Sequence, residues 1–245
     1  MTPLLGYQDY MATGSVDLFR TFEARMYERT QIALVDSTGL VNTSVGRHLY
    51  SWDPPASKEM FVNSAHASVS NSFAIRGLEA LAEMAAAAGN TANATKYGQQ
   101  ATAIKKAFMM QLGDPNAKHF CDGPCADPKV NKHGGVTTNY FTASLGIVPE
   151  QWLSNVWDEL AKWGLVQIGD FGSHFYMNAL SMHAGDDGTA MLTALTKCDD
   201  WSWCAEIEKF NATMTRESLD STRANGQTLS HPWGYVVLRE FLLIV

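Results

Sequence analysis

The architecture of this chain is set by residues 64–112, SAHASVSNSFAIRGLEALAEMAAAAGNTANATKYGQQATAIKKAFMMQL. Ser64 is predicted to cap a long helix, and Gly89 is predicted to end it. A second helix is predicted from about Asn93 to Leu112. Two helices joined by so short a turn form an antiparallel hairpin. The first helix carries its apolar residues at helical spacing, and they are Ala65, Val69, Phe73, Leu78, Leu81 and Ala85.

The same alternation of helix, turn and helix extends to both sides of this hairpin, and no convincing series of strands interrupts it. Helical hairpins arranged around a common axis form an α/α toroid, with short turns at one end and longer loops at the other. Binding and catalytic residues concentrate on such longer loops. Residues 1–245 are predicted to form one all-α domain. Its other helices are expected over Ser15–Asp36, Thr137–Leu145, Pro149–Trp163, Phe171–His183, Thr189–Thr196, Trp201–Phe210 and Trp233–Val245.

The charge of the chain argues against nucleic acid as a partner. Its formal net charge is −7, and its 18 basic residues are scattered rather than gathered on one face. No apolar stretch reaches the roughly 18–20 residues that span a bilayer. The sequence also shows no phosphate-binding glycine loop and no calcium loop. We therefore expect no membrane partner, no metal and no cofactor.

The four cysteines fall into two local pairs, Cys121 with Cys125 and Cys198 with Cys204. Because the spacers hold three and five residues, where zinc sites usually show two, disulfides are favoured over thiolate ligands. A mixed zinc site that adds His119 and His133 is the alternative for the first pair.

Two short-loop disulfides indicate an oxidising compartment, and so do the sequons at Asn42, Asn93 and Asn211. Residues 1–10 carry neither the basic nor the apolar part of a signal peptide. An extracellular location is therefore expected for a longer parent protein, of which this chain is an N-terminally truncated part.

Chemistry-bearing residues gather near the end of the sequence. Residues 211–217, NATMTRE, supply Glu217, and residues 230–234, SHPWG, supply His231 and Trp233. Carboxylates transfer protons, indole faces stack on sugar rings and imidazoles donate to hydroxyls. This combination favours a carbohydrate site over an ordinary solvated segment.

Several motifs resemble those of six-hairpin glycosidases, in the same order along the chain. The overall pattern is most similar to the C-terminal part of the catalytic domain of glycoside hydrolase family 78 α-L-rhamnosidases. That resemblance implies an (α/α)6 toroid, here incomplete. The motifs are WDPP (52–55), TN (138–139), SLGIVP (144–149), GDFGSHF (169–175), NATMTRE (211–217) and SHPWG (230–234).

The resemblance also implies an inverting hydrolysis of terminal α-L-rhamnosides, with a rhamnose-containing glycoside or polysaccharide as the partner. Glu217 matches the general base, and His231 and Trp233 match residues that line the sugar subsite. Trp52 and Asp53 resemble a loop that walls the pocket. The motif that supplies the general acid has no counterpart in these residues, so activity is expected to be impaired. The oligomeric state stays unassigned.

Other hypotheses remain beside this one. A non-catalytic carbohydrate-binding or structural toroid would keep the pocket without the acid. A toroid polysaccharide lyase would use a Tyr/His/Asn set, for which Asn139 and Tyr140 are available, although the Glu217 motif argues against it. Three tryptophans are expected to serve in packing rather than as sugar platforms, and they are Trp152, Trp157 and Trp163.

Overall fold

The computed structural model describes residues 2–44, 62–163, 170–182, 188–198, 202–209 and 211–214. Within these ranges the chain is helical apart from a two-stranded hairpin, β1 (Gly113–Asp114) with β2 (His119–Phe120). The all-α prediction is confirmed. The helices are α1 (Thr2–Thr13), α2 (Asp17–Glu28), α3 (Ser68–Ala87), α4 (Thr91–Leu112), α5 (Val136–Ser144), α6 (Glu150–Trp163), α7 (Asp170–Ser181), α8 (Thr189–Thr196) and α9 (Trp203–Glu208).

The central hairpin of α3 and α4 forms as predicted, but α3 begins four residues after the expected cap. Within the described part of the chain, the Ser64 hydroxyl accepts a hydrogen bond from the amide of His66, at 3.3 Å, and not from an amide in the first turn of α3. The amide of Ser68 instead donates to the carbonyl of Asp122, at 2.9 Å. A carbonyl from a distant loop therefore accepts the hydrogen bond of an amide in the first turn of α3, where the sequence predicted a cap from a neighbouring residue. Asn90 caps α4 by accepting from the amide of Asn93.

Alternate helices form an inner layer. The rings of Phe73 on α3, Phe141 on α5 and Phe175 on α7 contact one another, with centroids 4.6–5.5 Å apart. Phe141 is fully buried, and every residue of α5 except the last, Ser144, is buried. Helix α5 packs against both α3 and α7, and one intervening helix separates each of these pairs along the chain, which is the alternation expected of the inner helices of a toroid.

The intervening helices pack against this layer from outside. The indole of Trp157 on α6 donates to the carbonyl of Ala179 on α7, and Tyr176 donates to the carbonyl of Leu160. Trp152 packs on Phe120 with ring centroids 5.3 Å apart. Both tryptophans are buried, so their predicted packing role is confirmed, whereas the side chain of Trp163 lies outside the described part.

The N-terminal part departs most from the sequence prediction. Helix α1 was not predicted; it packs on α2 and α3, and Gly6 lies so close to the end of the Met26 side chain that a larger residue there would require Met26 to shift. The single helix expected over Ser15–Asp36 is instead α2, a turn with Gln31 at φ 64°, and a short 3-10 helix at Ile32–Leu34. The left-handed residue breaks the helix that periodicity alone would continue.

The connections differ in length at the two ends of the helices. Residues 88–90 join α3 to α4, and residues 145–149 join α5 to α6. The longer segments, residues 29–67 and 113–135, lead into the N-terminal ends of α3 and α5. The described parts of these segments, residues 62–67 and 113–135, meet beside the N-terminal ends of α3 and α5. No helix of the described part is long and apolar enough to cross a membrane.

Candidate functional site

Residues 113–135, which we call the disulfide loop, form the described wall of this end of the molecule. The loop begins with the β1–β2 hairpin, and the disulfide Cys121–Cys125 follows at once, with a Cα separation of 5.5 Å. The predicted pairing is thereby confirmed, and the mixed zinc site is wrong, since its two sulfurs are bonded to each other. Among the described residues no three metal-ligating side chains come together.

The disulfide loop is bound to the first turn of α3. Ser68 is fully buried, and its hydroxyl donates to the carbonyl of Cys121 while its amide donates to the carbonyl of Asp122. The amide of Cys125 donates to the carbonyl of Gln111 near the end of α4. The loop therefore lies across the hairpin of α3 and α4 and occupies a fixed position at the N-terminal end of α3.

Asp122 is the centre of this wall. Its side chain is fully buried, and it accepts four hydrogen bonds from three parts of the chain. The amide of Val62 and Nδ1 of His133 each donate to Oδ2 at 2.6 Å. The amide of Gly135 and the hydroxyl of Thr138 donate to Oδ1, at 2.9 and 2.6 Å. Four donors compensate the carboxylate for the water it has lost.

Two of these residues were not singled out in the sequence as site-forming groups. Asp122 stands in Cys-Asp-Gly-Pro-Cys, where an aspartate usually serves a turn. His133 was considered only as a zinc ligand. The signal that marks both is spatial, because the partners of Asp122 lie 11 to 60 residues away along the chain.

A cavity of about 500 Å³ lies between the disulfide loop, α5 and α6. Nε2 of His119 is buried beside it and has no hydrogen-bond partner among the residues that the structure describes. The amide of Asn139 is occupied by structural bonds to Phe120, Gly134 and Gly135. The other polar side chains that line the cavity are His133, Asn155 and Glu159.

The polysaccharide lyase hypothesis loses support from this region. Asn139 is buried, and its oxygen and its nitrogen are both bonded to backbone groups. Tyr140 is fully buried within the core. Neither side chain is therefore placed to reach a substrate.

A second disulfide leads toward the predicted base. Cys198, just after α8, is bonded to Cys204 on α9, with a Cα separation of 4.8 Å, as the sequence predicted. Ser202 caps α9 by accepting from the amide of Ala205. The amide of Ala212 then donates to the carbonyl of Glu206, so residues 211 and 212 of the NATMTRE motif are held at the end of α9.

The residues predicted to perform chemistry lie outside the described part. Trp52 and Asp53 belong to residues 45–61, and Glu217, His231 and Trp233 belong to residues 215–245. The described residues that adjoin these two ranges in the sequence are Val62, after the first range, and Met214, before the second. Their assignment to a sugar site remains a prediction.

Comparisons with known proteins identify the relatives of this framework. Residues 7–237 match the sequence profile of the bacterial alpha-L-rhamnosidase 6 hairpin glycosidase domain. Curated protein sequences gave no significant match.

Solved structures share the fold at low sequence identity. The family 78 rhamnosidase of Bacillus sp. GL1 matches 98% of this chain with a TM-score of 0.74 and 21% identity, over 25% of its own length. The Streptomyces avermitilis α-L-rhamnosidase, complexed with L-rhamnose, matches 95% with a TM-score of 0.70 and 18% identity, over 21% of its length. The rhamnosidase from Klebsiella oxytoca, with rhamnose bound, matches 98% with a TM-score of 0.74 and 16% identity, over 45% of its length.

This chain thus spans less than half the length of each of these rhamnosidases. Their likeness establishes the toroid fold, and the profile match covers all but the first few and the last few residues. The chain belongs to the family of bacterial α-L-rhamnosidase six-hairpin glycosidase domains.

Proposed function

We propose that this chain forms the rhamnose-binding part of an inverting α-L-rhamnosidase, with Glu217 as the general base. The observation that carries the proposal is the family match over residues 7–237, which includes both the NATMTRE and the SHPWG motifs. Of the similar structures, the Streptomyces avermitilis enzyme is complexed with L-rhamnose and the Klebsiella oxytoca enzyme has rhamnose bound. In the proposed site His231 and Trp233 line the sugar subsite, and Trp52 and Asp53 wall it.

The chemistry assigned to Glu217 follows from the inverting mechanism. Its carboxylate takes a proton from a water molecule on the face of the sugar opposite to the leaving group, and that water attacks the anomeric carbon. A separate carboxylic acid protonates the leaving oxygen. Arg216 stands next to Glu217 in the sequence and would favour the charged form that a base requires.

Residues 1–245 hold the motif of the proposed base but no recognised acid motif, so a polypeptide of these residues alone should react best with substrates whose leaving group needs little protonation. A general acid typically contributes about 10²–10⁴-fold to the rate. Natural rhamnosides, which need their leaving oxygen protonated, should therefore turn over very slowly. An aryl rhamnoside such as para-nitrophenyl α-L-rhamnoside has a leaving group that departs without much protonation, so it should retain the most turnover.

The test compares two glutamine variants on that aryl substrate. Glu217→Gln should reduce turnover by at least about 10²-fold, because a neutral amide cannot take the proton. Glu208→Gln, an exposed position at the end of α9, is the matched control and should leave the rate unchanged. Proton magnetic resonance should show the β-anomer of rhamnose as the first product, as inversion requires. Equal rates for both variants would overturn the assignment of the base.

A second candidate is a carbohydrate-binding protein without catalysis, because residues 1–245 contain the predicted sugar-subsite motif SHPWG (230–234) but no recognised acid motif. It predicts that the chain binds L-rhamnose but releases no nitrophenol from the aryl substrate, and that Glu217→Gln has no rate to change. The aryl-rhamnoside assay therefore separates the two functions.

A further inference from the structure

We propose that Asn211 is an N-glycan acceptor of this chain, and that Asn42 and Asn93 carry no glycan in the folded protein. Each of the three asparagines begins an Asn-x-Ser/Thr sequon, so the sequence alone does not separate them. The structure describes all three sequons, and it gives their side chains different surroundings. The assignment holds whether or not the chain hydrolyses rhamnosides.

The chemistry of N-glycosylation sets the requirement on the side chain. The amide nitrogen of asparagine forms a bond to C1 of an oligosaccharide that is carried on a lipid diphosphate. The bond between C1 and the diphosphate oxygen breaks, the lipid diphosphate leaves with its electron pair, and the amide loses one proton. The attached glycan is bulky and hydrated. A sequon therefore suits a folded protein where the asparagine is exposed and its NH₂ group holds no other part of the chain.

Asn93 does not meet this requirement, because it is built into the contact between α2 and α4. It lies in the first turn of α4, where its backbone amide donates to the cap residue Asn90. Its Nδ2 donates to Oε1 of Glu23 on α2, at 2.7 Å, and the hydroxyl of the buried Tyr97 donates to the same oxygen, at 2.9 Å. A sugar on this nitrogen would disrupt the contact with Glu23.

Asn42 is occupied in the same way by another carboxylate. Its side chain is half-buried, and its Nδ2 donates to Oδ2 of Asp36, at 3.1 Å. Nε2 of His66 lies 2.8 Å from the same oxygen. The side-chain oxygen of Asn42 accepts from the amide of Ser44, at 3.1 Å. Both ends of the Asn42 amide are therefore used, and a sugar would have to enter beside Asp36 and His66.

Asn211 meets the requirement. It is exposed, and its NH₂ group donates no hydrogen bond to another residue of the described part. Its backbone is left-handed, with φ 48°, a conformation that asparagine tolerates better than most residues and that commonly ends a helix. The amide of Asn211 donates to the carbonyl of Ile207, and that of Ala212 to the carbonyl of Glu206. The main chain is thus fixed at the end of α9, while the side chain is available.

The second disulfide agrees with this assignment. Cys198–Cys204 joins the end of α8 to α9, so Asn211 follows a helix that is covalently held. A disulfide of this kind forms in an oxidising compartment, as is expected of a secreted protein that carries N-glycans. Thr213, the hydroxyl residue of the same sequon, is exposed as well.

The experiment secretes the chain from a yeast host that attaches N-glycans. Mass spectrometry of the soluble secreted protein follows, before and after treatment with peptide-N-glycosidase, which converts a glycan-bearing asparagine to aspartate. The wild type should carry its glycan at Asn211, and Thr213→Ala, which removes that sequon, should abolish it. Ser44→Ala and Thr95→Ala are the matched controls, since they remove the other two sequons at exposed positions and should leave the glycan in place.

Two outcomes of this experiment would overturn the assignment. One is a soluble secreted chain in which Asn211 carries no glycan. The other is a soluble secreted chain in which Asn42 or Asn93 carries one.

Three aspartate variants test the structural reason in protein that has not been secreted, and they decide the matter if the yeast host yields no soluble chain. Asn93→Asp places a second carboxylate beside Glu23, and Asn42→Asp places one beside Asp36, so each should lower the urea midpoint. Asn211→Asp should leave the midpoint unchanged. A fall for Asn211→Asp as large as that for Asn93→Asp would refute the available side chain, and with it the acceptor.

Discussion

Asp36 is a carboxylate that its neighbours hold in the charged form. The hydroxyl and the amide of Thr38 donate to it, as does the side-chain amide of Asn42, and Nε2 of His66 lies 2.8 Å away. These hydrogen bonds, that of the Thr38 hydroxyl foremost, hold the pKa of Asp36 well below its usual range. Charged Asp36 therefore joins the turn after the 3-10 helix to the segment that enters α3.

The depressed pKa predicts a stability that depends on pH. A group whose pKa is lower in the folded state stabilises the fold above its unfolded value, about 3.9, and loses that contribution as the pH falls further. The urea midpoint of the wild type should fall between pH 5 and pH 2.5, and Asp36→Asn should fall less steeply. Asp158→Asn, an exposed site on α6, is the control. Parallel curves for the wild type and Asp36→Asn would refute this role.

Residue roles could be predicted from the sequence where they depend on local pattern. The buried tryptophans of α6 followed from their helical spacing, and the disulfides followed from the proximity of their cysteines. Asp122 could not be found in this way, because its burial depends on Val62, His133 and Thr138 meeting in space. Ser64 was misassigned as a cap for the same reason, because the amide of Ser68 donates to the carbonyl of Asp122, which is distant in the sequence.

Among the helices, one glycine is required by the backbone conformation at a helix end, and another lies inside a helix where no structural feature requires glycine. Gly89 follows α3 with φ +80°, a left-handed geometry that other residues adopt at a cost. Gly98 lies in the middle of α4, where an added Cβ would meet nothing within 4 Å. The same substitution should therefore have opposite effects at these two positions.

Gly89→Ala should destabilise the fold by about 1 kcal/mol, because alanine is strained in the left-handed region. Gly98→Ala should stabilise it by about 0.5–1 kcal/mol, because alanine loses less conformational entropy in a helix. Urea denaturation followed by circular dichroism measures both. Changes of the same sign would contradict the assigned ends of α3 and α4.

Elements were predictable to the extent that helical periodicity and stop signals agreed. Helix α8 has the predicted bounds, and α5 and α6 lie within a residue of theirs. Helix α1 was missed because its apolar residues follow no clear helical spacing and Gly6 interrupts them; its place is set by packing on Met26. The predicted helix over Trp233–Val245 lies outside the described residues.

At the scale of the whole molecule, two layers of helices present the disulfide loop and the segment before α3 at one end. The alternation of hairpins predicted this architecture, and membership of the six-hairpin family confirms it. The described residues contain nine α-helices, whereas six hairpins comprise twelve. The site chemistry stays a prediction from the motifs around Glu217 and His231, which lie outside the described residues.

We propose that this chain recognises L-rhamnose. Calorimetry of the wild-type chain with L-rhamnose, and with L-fucose as a 6-deoxyhexose of different hydroxyl configuration, measures this recognition. We expect L-rhamnose to bind with a Kd on the order of 1 mM and L-fucose to bind at least about tenfold more weakly. An absence of binding heat for L-rhamnose at millimolar concentrations, or equal binding of the two sugars, would show that the chain has no L-rhamnose site.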